Sequence, residues 1–289
     1  MNNVMSMLKK VAVAAAGALL IGGAAAHAQP AKSTWERIQE TKVVRLAGTN
    51  SEFWAFKDTS GSDAPGAVKI GDTVWRGLGP VMASQIAEAL GAKLEIVETT
   101  WGNAVPGLQA GQFDLIFGLD GTPPRAAAID FVPQGLFWYG TALAAAPNVD
   151  VSSWEAINKQ KLKVAVPAGT SMEFEIAKNA PNAELSKFQG FNDMIAAFQT
   201  GRVQALATSL TSATLISARL PGSQVKMPEP AALYPAGTGI RKETDPRWNN
   251  FLSTTLLYLV THGQVQKAIG DVYRFRGVDL SKVQAVVTR

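Results

Sequence analysis

Cysteine is absent from this 289-residue chain, and histidine occurs only twice. The absence of cysteine excludes disulfide bonds, thiolate nucleophiles and cysteine-ligated metal sites. His27 lies in an N-terminal segment that has the pattern of a cleaved export signal, which leaves His262 as the remaining histidine. Because a histidine-based triad or metal site has almost nothing to form from, we expect no catalytic residue, no metal and no cofactor.

Stretches rich in positive charge are also missing. The chain has 27 Lys and Arg against 23 Asp and Glu, and the N-terminal segment accounts for two of the lysines. No basic run is interleaved with aromatic residues, so nucleic acid is not an expected partner. Repeats, low-complexity tracts and long linkers do not occur either.

Residues 1–28 have the three parts of an export signal. Lys9 and Lys10 precede an apolar core from Val11 to Ile21, and Ala26-His27-Ala28 provides a small-residue cleavage site. The apolar core is too short to span a membrane. We therefore expect cleavage near Ala28, and no lipid anchor because no cysteine follows.

The remaining chain of about 260 residues is long enough for two modest domains. Strands are predicted at 42–48, 93–98, 113–117, 162–166 and 203–208, and helices at 80–90, 171–178, 191–200, 246–263 and 264–275. Alternation of strands and helices predicts doubly wound, parallel α/β sheets.

The segment from Trp101 to Phe131 is the most informative part of the chain. Its apolar run Phe113–Phe117 follows a turn signal and is typical of a buried strand. The run from Thr122 to Pro124 suits the start of a helix. Arg125 therefore stands just beyond a strand's carboxyl end, where ligands bind in open α/β sheets, and its planar cation could clamp a carboxylate. The alternative is a surface arginine that caps a helix or pairs with Asp130.

This segment resembles the signature of the periplasmic solute-binding proteins of polar amino acid ABC transporters. That signature is W-x-x-x-x-P-x-L-x-x-G-x-F-D-x-I followed by T-x-x-R and I-D-F. Its positions are filled here by Trp101, Pro106, Leu108, Gly111, Phe113, Asp114, Ile116, Thr122, Arg125, Ile129, Asp130 and Phe131. The resemblance extends from about Val43 to Val278. It implies a periplasmic monomer, not an enzyme, that captures a small carboxylate-bearing solute and delivers it to an ABC transporter permease in the inner membrane.

The resemblance also implies an architecture. We expect an α/β fold of two lobes, each a mostly parallel sheet flanked by helices, with two hinge crossings in a type II-like arrangement. Lobe 1 is expected to be discontinuous (29–138 and 236–289), with lobe 2 between (139–235). The ligand would lie in the interlobe cleft, and the lobes would close on it.

Two family patterns imply further ligand-binding residues. The segment from Gly48 to Phe56 resembles a loop, G-T-D-x-x-[YF]-x-P-F, in which Phe53 takes the place of the aromatic residue that stacks on the ligand. Trp54 lies beside it, with core packing as the alternative. Trp101 and Gly118 lie on either side of the Phe113 strand and are also predicted to be ligand-binding residues.

The turn Gly169-Thr170-Ser171 matches the G-T-[TS] pattern that follows the first strand of the second lobe. Hydroxyls and free N–H groups at a helix start suit a carboxylate. A plain N-cap would use Thr170 or Ser171 equally well.

Asp120 and Ser209 set this chain apart from the family. Many amino-acid binders have Ser or Thr at the first position and an Asp, which holds the ligand's ammonium, at the second. Asp120 could take over the ammonium, which would make the ligand an amino acid or related zwitterion. Alternatively, Asp120 pairs with Arg125, and the site accepts an organic acid without an ammonium.

Two other function classes stay open. Cyclohexadienyl dehydratases resemble these binding proteins and carry a catalytic Glu directly after a G-T-N turn. Met172 stands at that position and cannot act as a general acid, while Glu173 should point about 100° away around the helix. The third class is a ligand-binding protein that serves a chemosensory receptor.

Overall fold

The computed structural model describes residues 32–279, so the predicted signal peptide lies outside the described residues. Within the described range, the chain from Ser33 forms one compact unit. The helices of the described range are α1 (Thr34–Thr41), α2 (Leu78–Ala89), α3 (Ala104–Gln109), α4 (Pro123–Ala128), α5 (Trp154–Lys159), α6 (Ser171–Asn179), α7 (Phe191–Gln199), α8 (Leu210–Ala218), α9 (Arg247–Thr261) and α10 (Gln264–Phe275), with a 3₁₀ turn at Trp101–Asn103.

The strands are short, as expected for segments bounded by turns. They are β1 (Val43–Gly48), β2 (Phe56–Lys57), β3 (Val68–Ile70), β4 (Thr73–Arg76), β5 (Lys93–Glu98), β6 (Ile116–Phe117), β7 (Asp130–Val132), β8 (Trp138–Tyr139), β9 (Thr141–Ala145), β10 (Lys163–Pro167), β11 (Glu184–Phe188), β12 (Ala205–Ser209), β13 (Gln224–Lys226), β14 (Tyr234–Pro235) and β15 (Thr238–Ile240). Within the part of the chain that is described, no helix is both long and apolar enough to span a membrane.

Two groups of strands repeat the same order. In the first group β5 lies parallel to β1, Leu46 of β1 bridges Leu115 in parallel just before β6, and β15 joins β6 to β7. The second is a five-stranded sheet in the order β11-β10-β12-β9-β13. Each group has a parallel core, which the βαβ alternation predicted, and antiparallel strands on one side.

The third strand of the first group shows how a predicted element differs from the observed one. The apolar run 113–117 forms regular pairing only at Ile116–Phe117. Asp114 instead turns its carboxylate toward α1 and β1, where it pairs with Arg37 and, at 2.8 Å, with Arg45. The aspartate of the F-D motif therefore fixes the strand's entry rather than facing a ligand.

A two-residue antiparallel pair links the two groups of strands. Tyr139 of β8 lies opposite Tyr234 of β14, and Trp138 lies opposite Pro235. The rings of Tyr139 and Tyr234 meet edge to face, with centroids 5.0 Å apart. The chain thus passes between the two groups at two adjacent places.

Candidate functional site

A small cavity lies at the carboxyl ends of the parallel strands, and it collects eight of the nine predicted site residues. These are Trp54, Trp101, Gly118, Asp120, Arg125, Thr170, Ser171 and Ser209, and the remaining walls come from Leu119, Tyr139, Pro167, Met172, Phe191 and Thr208. The cavity volume is about 20 Å³, which is room for about one water molecule. The cavity as it stands is therefore too small to hold an amino acid.

Arg125 occupies the place expected from the sequence, in the first turn of α4 after Thr122 and two prolines. One Nη donates to the carbonyl of Asp120 (3.0 Å), and the other donates to the carbonyl of Gly169 (2.9 Å) in the turn before α6. The guanidinium thus bridges the two groups of strands. Among the described residues it forms no ion pair with Asp130, which was one of the two alternatives for this side chain.

Asp120 is buried, and its two carboxylate oxygens each accept one hydroxyl. Tyr139 donates to Oδ1 and Ser171 donates to Oδ2. In the described range, its carboxylate makes no direct ion pair with Arg125, which contacts the Asp120 carbonyl instead. Burial raises the pKa of Asp120, and the hydrogen bonds and the Arg125 charge oppose that rise.

The aromatic residues divide differently from the prediction. Phe53 is fully buried and packs edge to face against Trp54 and Phe137, outside the cavity. Its backbone has a φ of 75°, in the left-handed region, which turns Phe53 into the core and leaves Trp54 facing the cavity. Of the two adjacent aromatic residues, Trp54 lines the cavity and Phe53 does not.

Gly118 is required by the position of Trp54. It has a φ of +76°, and a Cβ there would lie 2.4 Å from the indole ring. Without a side chain at 118, the ring stacks on Phe137, with centroids 5.7 Å apart. The absence of a side chain at Gly118 therefore leaves room for the Trp54 ring in the cavity wall.

The predicted hydroxyls have three different partners. Thr170 donates to the carbonyl of Pro167 (2.8 Å), whereas Ser171 donates to Asp120. Ser209 caps α8 by accepting from the backbone N–H of Ser212 (3.2 Å). Ser209 therefore has a helix-capping role besides its place on the cavity wall.

Sequence reasoning missed a group of polar residues around Asp120. Thr141 donates to Glu175, and its hydroxyl lies 3.0 Å from that of Tyr234. Tyr139 and Tyr234 come from the linking strands, which carry no motif that could have marked them. The one sequence feature that could have indicated them is their position next to the predicted crossings between the lobes.

The position of the dehydratase acid is filled by an apolar side chain. Met172 is buried and lines the cavity. Glu173 turns away: it accepts from the Gly169 N–H (2.8 Å) and pairs with Lys187 (2.7 Å). In addition, no cluster of three or more His, Cys, Asp or Glu suited to a metal occurs between residues 32 and 279.

A second contact between the two groups of strands lies outside the cavity. We call it the Glu52 clasp: the buried Glu52 carboxylate accepts from Arg219 at the end of α8 (2.7 Å) and from Arg276 (2.9 Å). The Glu52 carbonyl also accepts from the Ser212 hydroxyl (2.9 Å). The clasp joins the loop after β1 to helix α8.

The family model of the bacterial extracellular solute-binding proteins, family 3, matches residues 59–269. The chain belongs to this family. The solute-binding protein family identified from the Trp101–Phe131 signature is thereby confirmed, and it is a binding family rather than an enzyme family.

Similar structures confirm the two-lobed α/β fold. The ancestral amino acid-binding protein AncCDT-1, described as a precursor of cyclohexadienyl dehydratase, is 27% identical and has a TM-score of 0.70, with coverage of 84% of this chain and 99% of its own. A cysteine-binding protein from Campylobacter jejuni is 19% identical with a TM-score of 0.73, over 85% of this chain and 94% of its own, and shows the fold alone.

A curated relative gives the transport context. A probable amino-acid ABC transporter periplasmic-binding protein from Sinorhizobium fredii is 29% identical over 138 residues, which is 46% of this solute-binding protein and 46% of the relative. The match thus spans about half the length of that relative.

Proposed function

We propose that this protein is the periplasmic substrate-binding component of an ABC importer. It captures a small carboxylate-bearing solute, an amino acid or related zwitterion, in the cleft and delivers it to a membrane permease. The observation that carries the proposal is the placement of the Arg125 guanidinium and the buried Asp120 carboxylate on one strand-end loop that faces the cavity. Family membership and the transport relative support it.

The proposal assigns lobe 1 to 29–138 and 236–289 and lobe 2 to 139–235. The β8–β14 pair lies at both boundaries, as hinge strands would. Since ligands favour clefts between domains, the cavity between the two groups of strands is the expected site.

Arg125 binds the solute's carboxylate in this proposal. An arginine side chain has five N–H donors, and the two contacts to Asp120 and Gly169 use two of them. The others are enough for a two-point grip on a carboxylate. The carbonyl contacts fix the guanidinium's orientation.

Asp120 holds the ammonium. A desolvated ammonium needs a carboxylate, and Ser209 stands where relatives of the polar amino acid type have one. Each Asp120 oxygen accepts one hydroxyl and can accept further hydrogen bonds. An ammonium can therefore be added without displacing Tyr139 or Ser171.

A thermal-shift screen over amino acids and organic acids tests the proposal. A ligand at 100 times its dissociation constant adds about 2.7 kcal/mol of stability. Arg125→Ala should abolish the shift while the protein stays folded, because losing one partner of a desolvated charge pair costs about 2–5 kcal/mol. Arg202→Ala, an exposed arginine away from the cavity, is the matched control.

Two results would count against the proposal. One is a screen without any shift. The other is an Arg125→Ala variant whose affinity stays within threefold of wild type. Delivery is tested separately: deleting the gene should stop cellular uptake of the solute that the screen identifies, and restoring it should return uptake.

A further inference from the structure

A larger space opens directly beside the cavity. This outer groove has a volume of about 900 Å³ and shares Asp120, Arg125 and Ser171 with the cavity. Its other walls include Glu175 and Lys178 of α6 and Tyr234 of β14. Ligand pockets for small molecules have volumes of about 300–1,000 Å³, so the groove has room for a solute that the 20 Å³ cavity lacks.

Glu175 is a half-buried carboxylate without a cationic partner at close range. Its hydrogen bond comes from the Thr141 hydroxyl, and none of the ion pairs within 4 Å among residues 32–279 includes it. Lys178, one turn further along α6, is exposed and acts over a longer range. Burial and the neighbouring Asp120 charge raise the pKa of Glu175, and Thr141 and Lys178 oppose that rise.

The hydroxyl protons around the two carboxylates are all in use. Tyr139 and Ser171 each donate their single proton to Asp120. Thr141 donates to Glu175, so at its 3.0 Å contact with Tyr234 it must accept, and Tyr234 must donate. The network therefore leaves no hydroxyl proton for the second oxygen of Glu175. At Glu175 the groove therefore offers an acceptor oxygen, and the nearest cation along α6 is the exposed Lys178.

We propose that Glu175 is a specificity-determining residue that binds a second cationic group of the solute, which makes the preferred solute a diamino carboxylic acid. This inference rests on the proposed function, in which Arg125 holds the carboxylate and Asp120 the first ammonium. The charges then match: two ammonium groups meet Asp120 and Glu175, and the carboxylate meets Arg125. Lys178 is exposed and free to turn toward solvent as the second ammonium enters.

Calorimetric titration with ornithine and norleucine tests the inference. The two side chains have nearly the same length and differ by a terminal ammonium in place of a methyl group. Wild type should bind ornithine at least tenfold more tightly than norleucine. Glu175→Gln should reduce that ratio below threefold, because the amide keeps the shape and removes the charge.

Glu184→Gln is the matched control, since it removes an exposed carboxylate that faces Lys163. It should leave the ratio unchanged, and melting curves should show that both variants are folded. Equal binding of the two ligands by wild type, or an unchanged ratio in Glu175→Gln, would overturn the inference and leave the proposed function standing. So would failure of ornithine to bind when another amino acid does. Failure of every amino acid and organic acid to bind would instead refute the proposed function, and the inference with it.

Discussion

Asp120→Asn removes one charge from the cleft with almost no change in shape. The amide oxygen can still accept from Tyr139 or Ser171, and the other hydroxyl can rotate to accept from the amide. If Asp120 holds an ammonium, the loss of that partner costs about 2–5 kcal/mol. At 1.4 kcal/mol per tenfold, this weakens amino acid binding by roughly 30- to 4,000-fold.

The assay is calorimetric titration with the amino acid that the screen identifies, and Ser209→Ala is the comparison variant. Ser209 caps α8, so its removal should cost about 1 kcal/mol of stability and change the affinity by less than threefold. The reasoning would be refuted if Asp120→Asn bound a simple carboxylate as tightly as wild type or more tightly while amino acids failed to bind either protein. Asp120 would then be a competitor for Arg125.

The same variant has a signature in pH. Burial raises the pKa of Asp120 above 3.8, and an ammonium requires the ionised form, so wild-type affinity should fall as the pH drops through the raised pKa. The contribution of Asp120 to folding stability changes with pH in the opposite direction. The native state holds the proton more tightly than the unfolded state, so Asp120 adds stability as the pH falls through that range and loses it as the pH rises. In Asp120→Asn, the parts of the pH dependence of affinity and of stability that come from Asp120 should disappear.

Three further predictions concern packing and motion. Gly118→Ala should lower the melting temperature and cost about 1–3 kcal/mol of unfolding free energy, because its Cβ would overlap the Trp54 ring. Gly61 has a similar φ of +70° and open space around it, so Gly61→Ala is the control and should show only the cost of backbone strain. Equal losses of stability in the two variants would refute the overlap. Asp114→Asn should cost about 3–5 kcal/mol in denaturant titrations, since two arginines lose their buried partner; a cost below 1 kcal/mol would contradict this. Scattering curves should show compaction when ligand binds, and identical curves would argue against lobe closure.

Regular elements were predictable wherever a local pattern determined them. The strand at 93–98 and the helix at 264–275 have the predicted bounds, because alternation and helical spacing are local properties of the sequence. Thr122 and its prolines likewise start α4 and place Arg125. The antiparallel strands β9 and β13 have no such signal, since their pairing depends on the rest of the sheet.

The site was predictable only as far as the motifs reached. Phe53 and Trp54 are adjacent aromatics, and the positive φ that decides which one faces the cavity is a property of the folded loop. Thr141, Glu175 and Tyr234 meet through tertiary packing of elements far apart in the chain. Their role could not be inferred from spacing.

The Glu52 clasp allows affinity to be set by residues that never touch the solute. In the proposed two-lobe arrangement, the bonds that Arg219 and Ser212 make to Glu52 form only when the cleft is shut, so they bias the equilibrium between shut and open molecules. Each 1.4 kcal/mol of bias changes that ratio tenfold, and apparent affinity follows the fraction of molecules in the competent state. The useful strength of the clasp has an upper limit, because a molecule whose cleft is shut before the solute arrives would bind the solute slowly. Replacing Arg219 by a residue that binds Glu52 more weakly would thus change the residence time and the capture rate of the solute together, without altering the residues that contact the solute.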